Sequence, residues 1–415
     1  MKFLNKSLND LAIIALCAIL VRIILYFLFD YQSDFKGGDS SYFLEVGRNI
    51  LDNGIHGSNE VPSFIRPPLY SIFTGIIAKF SETAIFFYLV QSVLFISFSF
   101  AVYFLLQKNG LRLAFLSALL IAISPFDALM NGRVLSENLV TPLLMMGTLV
   151  FIYGNESKTK YFFAGALLGG AALSRDIYML FPFMLILAGF HLKICWRYLL
   201  IFFLSFALVV APWVYRNSQM PGGGLFLSKG ILWINLWVGT WEQNADWTRM
   251  PNAYVPPPEA LVTTGPEISS LVVFDALKRQ DEEFFKKITI KYALEHPIKV
   301  INAWVVRYPL LWFGTRSDLN TSILARGSLT WYILKIMFYL VNAGLICLGI
   351  LGFFTTLRSK HISFVISFPV IYNALIYIPL HNVETRYSLP VMPILTIYCS
   401  YFLLYIKENT FIRWR

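Results

Sequence analysis

The chain has 415 residues, of which 57% are hydrophobic, 17% aromatic and 14% charged. Soluble domains carry about 25% charged residues, so this composition excludes soluble, disordered and collagen-like proteins and leaves a polytopic membrane protein. The formal net charge of +10 would point to nucleic acid in a soluble chain; here it reads as a topology signal, and no nucleic-acid partner is expected.

The first apolar run, 9–29, follows Lys2 and Lys6 as a secretory leader would. It is too long for a leader, contains Arg22 and lacks a small-residue cleavage site, so it is expected to stay as a span. Loop 30–83 comes next. Within it Tyr42, Phe43, Val46, Ile50 and Leu51 form a helical stripe over Ser40–Leu51, predicting a helix lying on the membrane interface. Spans are then predicted at 84–107, 112–130, 135–153, 161–174, 176–190 and 197–213, with only Arg175-Asp176 interrupting the pair at 161–190. Loop 214–328 opens on the turn Pro221-Gly222-Gly223-Gly224 and passes through the extended Pro256-Pro257-Pro258. It then reads as helical over Ser269–Leu294 and ends in an aromatic interfacial anchor with Trp304, Arg307, Tyr308 and Trp312. The last spans are 329–356, 362–380 and 388–406.

The expected architecture is therefore an all-α polytopic bundle of about ten transmembrane helices, each near the roughly 20 residues a bilayer requires. It forms one domain over 1–415, with two large extracytoplasmic loops carrying interfacial helices and no separate soluble C-terminal domain. One set of span ends, including both termini, carries 13 basic residues against 3 acidic ones, whereas the first opposite loop is rich in Asp and Glu. Positive charge stays inside, so the termini are expected in the cytoplasm. The four cysteines (Cys17, Cys195, Cys347, Cys399) lie in or beside apolar runs without CxxC spacing and read as small buried hydrophobes.

Ionisable groups at span ends are expensive and therefore informative. Asp34, Asp39, Glu137, Arg175 with Asp176, Arg216, and Glu384 with Arg386 all fall at the outer ends. Arg22 sits inside the first span and is expected to find an acidic or carbonyl partner in the bundle. Eight short motifs follow in order. They are Gly37-Gly38-Asp39-Ser40-Ser41-Tyr42, Arg66-Pro67-Pro68-Leu69-Tyr70, Ser124-Pro125 and Arg133-Val134-Leu135-Ser136-Glu137-Asn138, then Leu173-Ser174-Arg175, Ala211-Pro212-Trp213-Val214-Tyr215-Arg216-Asn217, Glu295-His296-Pro297, and Arg386-Tyr387-Ser388-Leu389-Pro390-Val391-Met392-Pro393.

In that order the motifs resemble the membrane glycosyltransferases of the GT-C superfamily, in its family 39-like branch of protein mannosyltransferases and aminoarabinose transferases. The resemblance runs from about residue 9 to 400. It implies a transferase that takes a sugar from a polyprenyl phosphate, with its active site facing away from the cytoplasm. It also implies that Asp39, in the first outer loop, is the catalytic base. Ser40 departs from the pattern, since many relatives carry a second acidic residue there.

Residue chemistry runs the same way. Transfer from a lipid phosphate needs a base for the acceptor hydroxyl and positive charge for the leaving phosphate. Arginine stays charged and grips phosphate bidentately, which makes Arg175, Arg216 and Arg386 the donor-phosphate candidates. Glu137, Asp34 and Tyr387 are candidate substrate or metal contacts. Blander roles stay open: Asp39 or Ser40 as a helix cap, Asp34 as a solvated loop residue, Glu137 paired with Arg133, Arg175 paired with Asp176, Arg216 as an interfacial arginine. The five histidines show no metal spacing, and a divalent cation assembled from distant loops is the one cofactor left open. The expected function is an inverting glycosyltransferase of a bacterial inner membrane. Its expected partners are a polyprenyl-phosphate sugar donor, membrane lipids, and a lipid, glycan or protein acceptor. An O-antigen polymerase or ligase and a non-enzymatic lipid or sugar transporter are the alternatives; the transporter lacks support from any visible repeat.

Overall fold

The computed structural model describes residues 2–29, 31, 35, 38–58, 61–229, 232–241, 276, 281–313, 328–359, 364–380 and 385–413. In chain order α1 (Lys2–Leu28) leads to α2 (Gly38–Asn53), the amphipathic helix expected over 40–51. A two-residue antiparallel ladder, Gly57 with Pro62 and Ser58 with Val61, precedes α3 (Leu69–Phe80). Then come α4 (Ala84–Lys108), α5 (Ala114–Ala122), α6 (Pro125–Met130), α7 (Glu137–Ile152), α8 (Lys158–Ser174), α9 (Phe181–His191) and α10 (Trp196–Gln219). The long loop contributes α11 (Leu232–Trp241), α12 (Glu282–Glu295) and α13 (Pro297–Phe313). The chain closes with α14 (Leu329–Ser359), α15 (Phe368–Ile376) and α16 (Met392–Arg413).

Five segments of 22–29 residues (Ser7–Leu28, Ala84–Lys108, Trp196–Gln219, Leu329–Leu357 and Thr385–Glu408) are long and apolar enough to cross a bilayer. The chain is an integral membrane protein. Its remaining expected spans are shorter or broken helices. The run 112–130 stops at Ala122 and restarts at Pro125, because proline has no N–H to continue the ladder and fits the first helical turn. Ser124 caps the restart by accepting from the Asp127 amide. The run 161–190 is broken at Arg175, where a 3-10 turn (Asp176–Tyr178) replaces the α-helix.

The core sits between α7, α8 and α10, with Ala164, Leu168 and Ala171 of α8 packed among Leu144, Phe202 and Phe206. A Cβ on Gly165 would collide with the Phe202 carbonyl; the missing side chain is what lets α8 and α10 meet backbone to backbone. Outward positions such as Leu16, Leu187, Leu208 and Leu340 are exposed, as lipid-facing residues should be.

Arg22 is buried and finds carbonyl partners, as expected. It donates to the Ala122 oxygen (2.7 Å), the Ala18 oxygen (3.2 Å) and Asn131 Oδ1 (3.2 Å). Ala122 is the last residue of α5, so the charge also meets the negative end of a helix dipole. Arg307 differs from expectation. It is fully buried, not interfacial, and donates to the Ala303 (3.2 Å) and Gly239 (2.7 Å) carbonyls. The reason is register: Val300, Ala303, Arg307 and Leu311 share the inward face of α13, and Ile298, Ile301 and Val305 face outward. The proline run at 256–258 and most of 269–280 lie outside the described residues.

Candidate active site

Asp39 stands in the first turn of α2, where a carboxylate suits the positive end of the helix dipole. α2 is fixed against α3: Gly47 and Gly75 touch backbone to backbone, Thr74 Oγ1 donates to the Phe43 carbonyl (3.0 Å), and Phe43 meets Tyr70 edge to face at 4.8 Å. Arg66 precedes two prolines, which hold it extended and open α3. Its guanidinium lies over Phe43 (4.9 Å) and Tyr42 (5.4 Å) and reaches Asp39 Oδ1 at 2.6 Å.

The other Asp39 oxygen is taken by Arg386 at 3.1 Å, from the 3-10 turn Thr385–Val391 that leads into α16. Glu137, the first residue of α7, is 3% exposed. Arg175 reaches its Oε1 at 2.5 Å, and Arg386 Nε lies 4.0 Å from the same oxygen. The local reason is again the helix termini: Glu137 stands in the first turn of α7, at a positive end, and Arg175 follows Ser174, the last residue of α8, at a negative end. Glu137 thus pairs with Arg175, not Arg133. Asp176 does not neutralise Arg175 but accepts from Ser228.

Tyr387 joins the two arginines. Its ring lies under Arg175 (4.5 Å) and Arg386 (5.0 Å), its hydroxyl accepts from Arg386 Nη2 at 3.2 Å, and it stacks on Tyr377 with centroids 5.1 Å apart. Five charged residues distant in sequence therefore converge: three guanidiniums (Arg66, Arg175, Arg386) against two carboxylates (Asp39, Glu137), a net of one positive charge among the described residues in these ion pairs. Burial alone would raise the Asp39 pKa, but Arg66, Arg386 and Arg175 outweigh it and hold the carboxyl at about 2. A small cleft lined by Phe126, Asp127, Phe338, Asn342, Leu389 and Met392 adjoins the turn that carries Arg386.

Of the residues picked from sequence, Asp39, Glu137, Arg175, Arg386 and Tyr387 come together. Arg216 does not. It lies over Trp213 (4.6 Å) and Phe64 (5.8 Å), donates to Asn217 Oδ1 (2.9 Å), and contacts none of the five charged residues. Asp34 lies outside the described residues, as do Glu60 and His381. Arg66 was missed as a site residue, although it opens a quoted motif; a lone arginine before Pro-Pro in an acidic loop was the available signal. Buried His56 is pushed down to about 4 by desolvation, its bond to the Ser63 carbonyl opposing and nearby Arg216 assisting. Among the described residues no three His, Cys, Asp or Glu side chains are grouped to hold a metal. Both carboxylates of the cluster face guanidiniums, whose charge opposes a divalent cation.

No family model matches the sequence, and no curated protein does. Solved structures do. The archaeal oligosaccharyltransferase AglB from Archaeoglobus fulgidus, in complex with an inhibitory peptide and a dolichol-phosphate, aligns over 97% of this chain and 50% of its own at 16% identity, with a TM-score of 0.50. ArnT from Cupriavidus metallidurans, bound to undecaprenyl phosphate, aligns over 94% of this chain and 77% of its own at 15% identity, with a TM-score of 0.42. The chain spans half the length of the archaeal enzyme. At such identity the likeness is one of fold alone: over nearly its whole length the chain shares the fold of the archaeal enzyme.

Proposed function

We propose that the chain is a membrane glycosyltransferase that moves a sugar from a polyprenyl monophosphate to an acceptor hydroxyl, with inversion, on the outer face of a bacterial cytoplasmic membrane. The observation that carries this reading is the cluster of three arginines around two carboxylates, with one positive charge in excess among the described residues. A sugar linked through one phosphate is a phosphodiester with one negative charge and balances that excess; a diphosphate would overshoot it.

Arg66, Arg175 and Arg386 are the phosphate-binding residues in this reading, and Asp39 is the base. Asp39 binds Arg66 and Arg386 (2.6 and 3.1 Å), and while it does so it is a poor base at a pKa of about 2. An incoming phosphate competes for the same guanidiniums. As they turn to it, Asp39 loses the charges that depress it and rises toward the ordinary carboxylate range. The acceptor oxygen then attacks the anomeric carbon from the face opposite the phosphate. The bond from that carbon to the phosphate oxygen breaks, its electron pair stays on the phosphate, and the acceptor proton passes to Asp39. The phosphate gains a negative charge as Asp39 loses one, so the net charge of the site is unchanged through the step. Once the phosphate is bound, Glu137 and the Tyr387 ring keep Arg175 and Arg386 in place, and a well-aimed donor of this kind is worth about 3–4 kcal/mol in the transition state. The cleft at Phe338, Leu389 and Met392 is the proposed entry for the prenyl chain.

The acceptor is a lipid, glycan or protein hydroxyl. Mass spectrometry of cell-envelope glycans from cells carrying the parent protein or Asp39→Asn tests the reading: the parent adds a glycosyl mass that the variant lacks. Identical glycan profiles for the two would remove Asp39 and the reaction assigned to it.

A further inference from the structure

Arg175 and Arg386 lie more than two hundred residues apart, yet one buried amide ties their segments together. Asn373, in α15, is fully buried. Its Oδ1 accepts from the Tyr178 hydroxyl (2.9 Å), and its Nδ2 donates to the Tyr387 carbonyl (3.0 Å). Tyr178 closes the 3-10 turn that begins at Arg175, its amide donating to the Arg175 carbonyl at 3.2 Å. Tyr387 follows Arg386 and carries both guanidiniums on its ring. The Tyr387 carbonyl can only accept, which turns the amide nitrogen toward it; the Tyr178 hydroxyl, able to donate or accept, then donates to the amide oxygen. The same helix supports the same two segments again: Tyr372 donates to the Ile177 carbonyl, and Tyr377 stacks on Tyr387.

Resting on the phosphate-binding reading above, we propose that Asn373 is a positioning residue that sets the spacing of Arg175 and Arg386 for the donor phosphate. It touches neither guanidinium. It acts by holding the Tyr387 peptide, whose rotation would shift Arg386 through the chain and Arg175 through the ring it rests on. An apolar residue at 373 would leave the Tyr178 hydroxyl and the Tyr387 carbonyl buried without this partner.

Aspartate at this position separates positioning from mere space filling. Ionised, it still accepts from Tyr178 but sets a second acceptor against the Tyr387 carbonyl. Protonated, it donates to that carbonyl as the amide does. Burial raises the pKa of such an acid, so donation should return within the accessible pH range. Among the described residues, the charged or titratable groups on the segments that meet here are Glu137, Arg175, Asp176 and Arg386 and the phenols of Tyr178, Tyr372, Tyr377 and Tyr387; His191 is exposed at the end of α9, and His381 and Glu384 lie outside the described residues. The ligand's own second phosphate ionisation, near pH 6 in phosphate monoesters, and any change in Glu137 or Asp176 are divided out by the ratio to the parent at each pH.

The test is titration of the purified full chain with undecaprenyl phosphate, comparing parent, Asn373→Asp and Tyr178→Phe. Asn373→Asp is expected to raise Kd about tenfold over the parent at pH 8 and to come within about twofold at pH 5.5. Tyr178→Phe, which removes only the other half of the tie, is expected to raise Kd about threefold at both pH values. A constant Asn373→Asp ratio across pH, or no change at all, overturns the proposal. Should Asn373→Asp not fold, Tyr178→Phe decides it, and a parental Kd there overturns it. A parent that fails to bind undecaprenyl phosphate instead sinks the phosphate-binding reading on which the proposal rests.

Discussion

Glu137→Gln probes the electrostatic balance of the cluster with almost no change of shape. The wild-type carboxylate is 3% exposed, touches Arg175 at 2.5 Å and stands 4.0 Å from Arg386. Glutamine keeps the volume and one acceptor oxygen but raises the net charge of the cluster by one. Removing one member of a buried pair commonly costs about 3–5 kcal/mol, because the other charge is left without compensation. Here the Arg175 side chain is 18% exposed and keeps the Tyr387 face at 4.5 Å, so the expected loss is about 2–3 kcal/mol. For a chain of this size that corresponds to a fall in Tm of about 2–3 °C. Undecaprenyl phosphate returns the missing negative charge, so the ligand should stabilise Glu137→Gln more than it stabilises the parent. Thermal unfolding in detergent, with and without the lipid, reads both numbers. An unchanged Tm without lipid, or a lipid-induced rise no larger than the parent's, would refute the charge-balance argument.

Asp39→Asn should abolish sugar transfer while binding undecaprenyl phosphate at least as tightly as the parent, since the carboxylate that occupies Arg66 and Arg386 is gone; equilibrium titration beside a transfer assay checks both halves. The depressed Asp39 pKa, about 2, also makes a stability prediction. Its contribution, on the order of 2 kcal/mol, is complete above the ordinary carboxylate pKa near 4 and is lost as pH falls through about 2. Acid unfolding should therefore show less loss between pH 4 and 2 in Asp39→Asn than in the parent, and parallel curves would contradict the assignment. Arg216→Gln should leave undecaprenyl phosphate affinity unchanged, because its contacts are Trp213, Phe64 and Asn217; a tenfold loss would return it to the phosphate site. Arg22→Ala should lower Tm through the unsatisfied Ala122 and Asn131 partners yet leave affinity within about twofold of the parent, as read by the same titration on folded protein.

What the sequence made legible was the membrane pattern and the few charged residues at the ends of the apolar runs. Apolar runs of bilayer length located the helices, and the break at Arg175-Asp176 was visible as two charges in an otherwise apolar run. Asp39, Glu137, Arg175 and Arg386 stood out because a charge at a span end demands a reason. Pairing was not legible. Glu137 has Arg133 four residues away in sequence but meets Arg175 across the bundle, and nothing in local spacing distinguishes the two. Arg66 was hidden because its loop position made exposure the simplest expectation, whereas the tertiary fold of α2 on α3 brings it to Asp39. Arg216 shares the span-end position of the others, yet it lies over Trp213 and Phe64 and contacts none of the five charged residues. Asn373 gave no signal at all, since a single amide in an apolar helix reads as an ordinary polar interruption until both its partners are seen.

A structure of the chain with undecaprenyl phosphate bound, determined in lipid nanodiscs, tests the central claim most directly. The phosphate should lie within hydrogen-bond distance of Arg66 and Arg386 and close to Arg175, with Asp39 released from at least one guanidinium and turned toward the open space beside the phosphate. A phosphate seated elsewhere, with Asp39 still bridging Arg66 and Arg386, would contradict it.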